Sequence, residues 1–359
     1  YCYENPVRLK EGPIHADIEK MLKTLDGRGF TVFGGEPLLT PMADLEKLFA
    51  NGGTGIQTNG TMISARHIEL FKKYNTHVGI SVDGPDEMND ARRIGGIEST
   101  RRATANTHAA IKKLLEEGVP VSLIITLHNL NCSEERRPRF KRWLSYLDSI
   151  GMKTARFHLL ENDGADDIKL TEDESKAAML DLLHFVQTLN TLKVDLFAEM
   201  ERTLLGVGDV CCIWNGCDPY TTPAVQAVDP DGSLTNCQRT FKDGVAYRKA
   251  DHPGNERLLA LAQTPQEYGG CKGCRYFTAC KAECPGTGLD GDWRNRTEHC
   301  GTLKVIFGYL EGKIIKEGKQ IRQDTFVQLT PRVQNWHGDH HEDIAHVDRV
   351  DFGTIPVKP

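Results

Sequence analysis

The chain has 359 residues, a formal net charge of −6 and 26% charged residues. That balance gives no global drive toward nucleic acid or an anionic membrane surface. No apolar run is long enough to span a bilayer, and the length calls for one large domain with a smaller one beside it.

From residue 14 to about 160, amphipathic segments alternate with short apolar runs. "HADIEKMLKTL" reads as a helix, "FTVFGG" as a strand and "PMADLEKLFA" as the next helix. "TGIQTNG" is a strand ending in a turn, followed by the helix "SARHIELFKKY" and the strand "HVGISVDG". The helix "THAAIKKLLEEG", the strand "PVSLIITLH", the helix "RFKRWLSYLDSIG" and the strand "TARFHLLE" complete the series. This order predicts βα units on a parallel sheet. Functional groups then gather at the carboxyl ends of the strands.

Polar turns fall at those ends: Gly34-Gly35-Glu36-Pro37, Thr58-Asn59-Gly60, Ser81-Val82-Asp83-Gly84, His128-Asn129, and His158 with Glu161. Any one of them reads as an ordinary turn, but such turns on five consecutive strands point to a site. In "FGGEP" the glycines let backbone approach a ligand with no Cβ in the way. Glu36 offers an acceptor for an amine, and Pro37 fixes the chain that follows.

Residues 165–206 read as helices that bridge two lobes ("TEDESKAAMLDLLHFVQTL", then "DLFAEMERTLLG"). A cysteine-rich segment follows to Cys300, then the helix "LKVIFGYLEGKIIKEGKQI" and a tail containing "NWHGDHHEDIAHVD". In the tail, His337, His340, His341 and His346 stand among Asp339, Glu342, Asp343 and Asp348. Such residues can bind a divalent metal; they equally suit a solvated terminus or a segment folded over the active site.

Nine of the 11 cysteines lie between residues 211 and 300. A secreted disulfide scaffold is short and loop-rich throughout. Cysteines that follow a long α/β region suit thiolate ligation of metal instead. Cys132, in "NLNCSEE", is isolated and reads as a lone thiol in a loop.

With "YCYE" ahead of "FGGEP", the chain resembles the radical S-adenosylmethionine (radical SAM) enzymes. Their signature is Cys-x3-Cys-x2-Cys after the first barrel strand, with a GGEP-like turn after the second. The resemblance continues through "IQTNGT" and "GISVDGP". It implies a partial (β/α)6 barrel over 1–164, with the first strand and two cluster cysteines upstream of residue 1. Cys2 is then the third ligand of the SAM-binding [4Fe–4S] cluster. Gly34, Gly35, Glu36, Pro37, Thr58, Asn59, Ser81 and Asp83 meet the SAM, and one of Arg92, Arg93, Arg101 or Arg102 (Arg102 is the choice) meets its carboxylate. In this family SAM's amine and carboxylate chelate the cluster's open iron, and an electron cleaves SAM to a 5′-deoxyadenosyl radical that abstracts a substrate hydrogen.

The second half reads Cys217-x14-Gly232-x4-Cys237, Cys271-x2-Cys274-x5-Cys280-x3-Cys284, then Cys300. This is similar to the SPASM extension of radical SAM enzymes, placed at 207–310, with the last helix and tail at 311–359. The resemblance assigns Cys211, Cys217, Cys237 and Cys284 to one auxiliary [4Fe–4S] cluster. It assigns Cys271, Cys274, Cys280 and Cys300 to a second, making three clusters in the complete protein. Cys212 is a spare that could exchange with Cys211, and zinc is the alternative occupant of the Cys-x2-Cys pieces.

In related sulfatase maturases an aspartate that serves as the base directly follows the cysteine equivalent to Cys237; here Gln238 stands there. An amide is no general base at neutral pH. The expectation is therefore a maturase of a ribosomally made peptide that forms an intramolecular crosslink, carbon–carbon or thioether. Formylglycine formation, or a catalytically degenerate iron–sulfur scaffold, is the alternative. A peptide substrate, a flavodoxin or ferredoxin donor and a cytoplasmic location follow from the same likeness, with no nucleic-acid or membrane partner.

Overall fold

The computed structural model describes residues 16–161, 166–208, 210–221, 226–235, 237, 239 and 254–321. The chain divides into two compact units, the first being Tyr1–Ala198 with Val228–Leu234 and Phe241–Gly244. The second is Glu199–Ala227, Thr235–Thr240 and Val245–Pro359.

The first unit is built on a six-stranded parallel sheet in sequential order. Its strands are β1 (Phe30–Val32), β2 (Gly53–Thr58), β3 (His77–Ser81), β4 (Val121–Leu127), β5 (Thr154–Leu159) and β6 (Lys193–Val194). Helices α1 (Ile18–Leu25), α2 (Met42–Ala50), α3 (Ala65–Tyr74) and α4 (Ile97–Glu116) lie along the chain before β4. The single turn α5 (Asn129–Cys132), then α6 (Arg137–Ser149), α7 (Glu172–Val186) and α8 (Asp195–Leu204) follow. α8 begins in the first unit and ends in the second.

Alternation along the strands divides the sheet into two unlike faces. Val78, Ile80, Val82, Leu123, Ile125, Ala155 and Phe157 are all essentially inaccessible. The rings of Phe140 on α6 and Phe197 on α8 each lie 6.1 Å from Phe157, so helices cover that face. The opposite face carries Thr31, Gln57, Ser81, Ser122, Arg156 and His158, none of them fully buried. A parallel sheet ordinarily buries both faces in apolar side chains. A polar, accessible face is what the inside of a partial barrel provides.

Two features depart from the sequence reading. A sixth strand, Lys193–Val194, pairs with Thr154–Ala155 inside the segment read as bridging helices. Helix α4 begins at Ile97, well before "THAAIKK", because its first turns bury threonines in place of aliphatic residues. Thr100, Thr104 and Thr107 return their hydroxyls to the helical carbonyls of Gly96, Thr100 and Ala103, which lets threonine face inward without an unpaired oxygen.

In the second unit, α9 (Glu256–Gln263), the single turn α10 (Phe277–Cys280) and α11 (Cys300–Lys316) are set among short turns. Trp214 is fully buried and meets Phe307 of α11 edge-on at 5.8 Å. Leu258, Leu261, Cys271, Phe277 and Ala282 form a compact apolar cluster. A two-stranded pair, β7 (Ala227–Val228) and β8 (Leu234–Thr235), has residues in both units.

Candidate functional site

Glu36 organises the first cluster of turns. Gly34 and Gly35 adopt φ values of 103° and 54°, where a side chain is disfavoured. The chain then enters a short 3-10 turn at Pro37. Glu36 Oε1 accepts from Leu38 N at 3.1 Å and from Thr58 Oγ1 at 2.5 Å. Its Oε2 accepts from Asn59 N at 2.9 Å. Asn59 in turn holds Thr61 through its side chain and accepts from Thr107 Oγ1 through its carbonyl at 2.8 Å. The structure thus brings Glu36, Thr58 and Asn59 together at the ends of β1 and β2. Ser81 lies across from them on the open face, accepting from Gln57 Nε2 at 2.8 Å.

Asp83, after β3, is the hub of a second network. Its side chain is completely buried. Oδ1 accepts from Arg92 Nη2 at 2.9 Å and from Thr126 N at 2.8 Å. Oδ2 lies 2.8 Å from Arg92 Nε and 3.4 Å from His128 Nε2. The backbone is fixed as well: Asp83 N donates to Asn89 Oδ1 at 2.8 Å, and Asn131 Nδ2 donates to Asp83 O at 2.9 Å. Burial alone would push this carboxyl up, but Arg92 and His128 prevail and hold it at about 2. Asp83 is therefore a fixed buried anion turned into the fold, positioning the ends of β3 and β4.

Among the four candidate arginines, Arg92 is tied to Asp83, and Arg101 pairs with Asp90 at 3.0 Å. Arg93 and Arg102 are exposed. Cys2, Gln238 and the His/Asp-rich tail lie outside the described residues. The sequence reading missed Gln57, Asn89, Thr126 and Asn131. The only signal for them was the proximity of Thr126 and Asn131 to the His128-Asn129 turn.

The cysteines of the second unit form two groups. Cys271, Cys274, Cys280 and Cys300 line one pocket, together with Arg296 and Lys304. Burial raises the Cys300 thiol, while Lys304 and Arg296 draw it down. Burial also raises Cys271, to about 12. Cys211 and Cys212 have their sulfurs 3.8 Å apart. Cys212 is raised by Cys211 first, then by burial, with Cys284 and Cys217 adding to it. Cys284, pushed up to about 12 by burial, is within electrostatic reach of Cys237, Cys217 and Arg239. Enclosed thiols that raise one another ionise together only around a cationic centre. A zinc ion with bonds of about 2.3 Å would draw four sulfurs to a point. Among the described residues no three such side chains are gathered tightly enough to hold a single ion. Soft donors, enclosure and cationic neighbours fit iron–sulfur clusters in both groups. Cys132, in the first unit, is buried at the end of α5, and burial pushes its thiol up to about 12.

Residues 1–137 match the family model of the radical SAM superfamily. The relatives are more specific. A serine-type anaerobic sulfatase-maturating enzyme of Bacteroides thetaiotaomicron is 35% identical over 114 residues, 26% of this chain and 28% of the relative's own length. A cysteine-type anaerobic sulfatase-maturating enzyme of Clostridium perfringens is 20% identical over 345 residues, 88% of this chain and 90% of the relative. The solved structure of native anSMEcpe with bound AdoMet superposes with a TM-score of 0.70 at 21% identity, covering 88% of this chain and 94% of that one. A form of it with AdoMet and Cp18Cys peptide gives a TM-score of 0.65 at 21% identity, covering 86% of this chain and 92% of that one. At these identities the superposition establishes the radical SAM fold of the parallel sheet.

Proposed function

We propose that this chain is a radical SAM enzyme that takes a hydrogen atom from a peptide and closes an intramolecular side-chain crosslink. The observation that carries the reading is the polar, accessible face of the parallel sheet, with two rigid carboxylate hubs at its carboxyl end. Gly34, Gly35, Glu36 and Pro37, with Thr58, Asn59 and Ser81, form the part suited to the amine and ribose of SAM. Cys2 with two further cysteines would hold the SAM-binding cluster. The second unit's two thiol groups would hold auxiliary [4Fe–4S] clusters, in the ligand sets given above.

When bound, the SAM cluster and SAM supply a hydrogen-abstracting 5′-deoxyadenosyl radical. The protein's own residues hold the turn at Glu36 open, fix the ends of β3 and β4 through Asp83, and line the reaction space with polar side chains. Fully thiolate-ligated auxiliary centres suit electron acceptance, since a crosslink needs a second electron and a proton removed after the first hydrogen atom. A peptide substrate is supported by the likeness to a fold solved with both AdoMet and a peptide bound.

Two products remain in contention on separate grounds. Gln238 in place of a carboxylate favours crosslinking, whereas the sulfatase-maturating relatives favour formylglycine. Mass spectrometry of the peptide encoded beside this protein, co-expressed with and without it, separates them. Crosslinking gives loss of two hydrogens, suppressed fragmentation between the joined residues and no reaction with a hydrazide. A hydrazide-reactive aldehyde establishes the formylglycine reading instead. Metal analysis of the complete protein tests the cofactors. Iron on the order of twelve per chain fits three four-iron clusters, and iron near four with zinc making up the rest refutes the auxiliary clusters.

A further inference from the structure

Arg257, in the first turn of α9, is only 3% exposed. Its guanidinium donates from Nε to Trp293 O at 2.7 Å and from Nη2 to Asn295 O at 3.0 Å. Nη1 donates to Cys217 O and Glu283 O, both at 3.3 Å. All four acceptors are neutral carbonyls, and among the described residues no carboxylate forms an ion pair with this side chain. The nearby carboxylate, Asp218, accepts from the backbone N–H groups of Tyr220, Thr221 and Arg257.

A buried cation left without counter-charge is strongly destabilising. The negative charge within reach comes from Asp218 and from cysteines of both groups. Arg257 hydrogen-bonds the carbonyl of Cys217 and that of Glu283, the residue before Cys284, both in one thiol group. Four residues along α9, Leu261 O accepts from the N–H of Cys271 at 2.7 Å, which anchors the other group to the same helix. Burial lowers the affinity of Arg257 for its proton, while Cys284, Cys217, Asp218 and Cys271 restore it. Arg257 thus bonds the backbone of one thiol group directly, and its own helix holds the backbone of the other.

We propose that Arg257 is the shared buried counter-cation of the two auxiliary centres, and that its fixed charge makes both easier to reduce. The inference rests on the reading that both groups hold iron–sulfur clusters. Adding one electron to a thiolate-ligated cluster deepens its negative charge, and a cation held nearby in a poorly polarisable interior favours that step. Arg257 touches neither substrate nor SAM in this account and is a positioning and tuning residue.

The test is a redox titration of the full-length, cluster-loaded protein, followed by electron paramagnetic resonance, for wild type, Arg257→Gln and Arg257→Lys. The glutamine variant should reduce at least tenfold less favourably at both auxiliary clusters, about 59 mV lower for a one-electron step. The lysine variant, which keeps the charge, should stay near wild type. Unchanged potentials in the glutamine variant, a shift at one cluster only, or equal shifts in both variants would overturn the proposal. If the glutamine variant cannot retain iron while the lysine variant can, the charge role stands; loss from both overturns it. Zinc in place of the second unit's iron in wild type would refute the cluster reading itself, a failure distinguishable from that of the Arg257 proposal.

Discussion

Thr58 donates its hydroxyl to Glu36 Oε1 at 2.5 Å, fastening the turn after β1 to the end of β2. With Leu38 N and Asn59 N on the same carboxylate, one side chain fixes two loops. Glu36→Gln replaces one acceptor oxygen with a donor that meets another donor. Its expected cost is about 1–3 kcal/mol of stability, with SAM affinity falling roughly tenfold. Thr58→Val, which removes one donor, should cost about 1 kcal/mol. Thermal unfolding and equilibrium dialysis of SAM measure the two effects.

Asp83 should report itself in acid. Its carboxyl is held at about 2 in the folded protein, against about 3.9 for an unfolded aspartate. The stabilisation is complete above about pH 4 and is lost as the pH falls through about 2, a window worth roughly 2–3 kcal/mol. Asp83→Asn leaves Arg92 and His128 without their anion and should cost about 3 kcal/mol at pH 7. Denaturant unfolding of both proteins at pH 7, 4 and 3 should show the gap narrowing toward the lowest pH. A gap independent of pH would contradict the ionised network.

The threonine face of α4 makes a separate prediction. Asn89 links Asp83 N to Thr104 Oγ1 with 2.8 Å bonds on either side. Asn89→Ala strands both groups in the interior and should destabilise by about 2 kcal/mol. Thr104→Ser keeps the hydroxyl and should cost much less. Equal losses would show that the methyl group, not the hydrogen bond, is what matters.

Cys132 and Cys271 are both buried thiols raised to about 12, yet they should behave differently once iron is supplied. Cys132 is the one cysteine among the described residues of the first unit, so Cys132→Ala should leave iron content unchanged, and the native thiol should resist alkylation at neutral pH. Cys271→Ser should reduce iron by the content of about one four-iron cluster.

Much of this was readable because apolar runs end in glycine-rich or polar turns. β2 through β5 and the turns at Glu36, Asn59 and Asp83 announce themselves in that way. β6 does not, since two residues carry no alternation to detect. The start of α4 was hidden because threonine serves as its buried residue, a role periodicity scans assign to leucine or valine. The two thiol groups could be read from cysteine spacing by resemblance, whereas Arg257 could not. It lies far from most of those cysteines in sequence, and nothing in "NERLLALA" marks an arginine whose acceptors are carbonyls from three other segments.

The central claim is best tested by supplying the full-length, cluster-loaded protein with SAM, dithionite and its neighbouring peptide under anaerobic conditions. The quantity to measure is 5′-deoxyadenosine, with the peptide mass read from the same sample. The account predicts 5′-deoxyadenosine accumulating in step with a peptide that has lost two hydrogens and carries no aldehyde. A protein with its full complement of iron that releases no 5′-deoxyadenosine would contradict it.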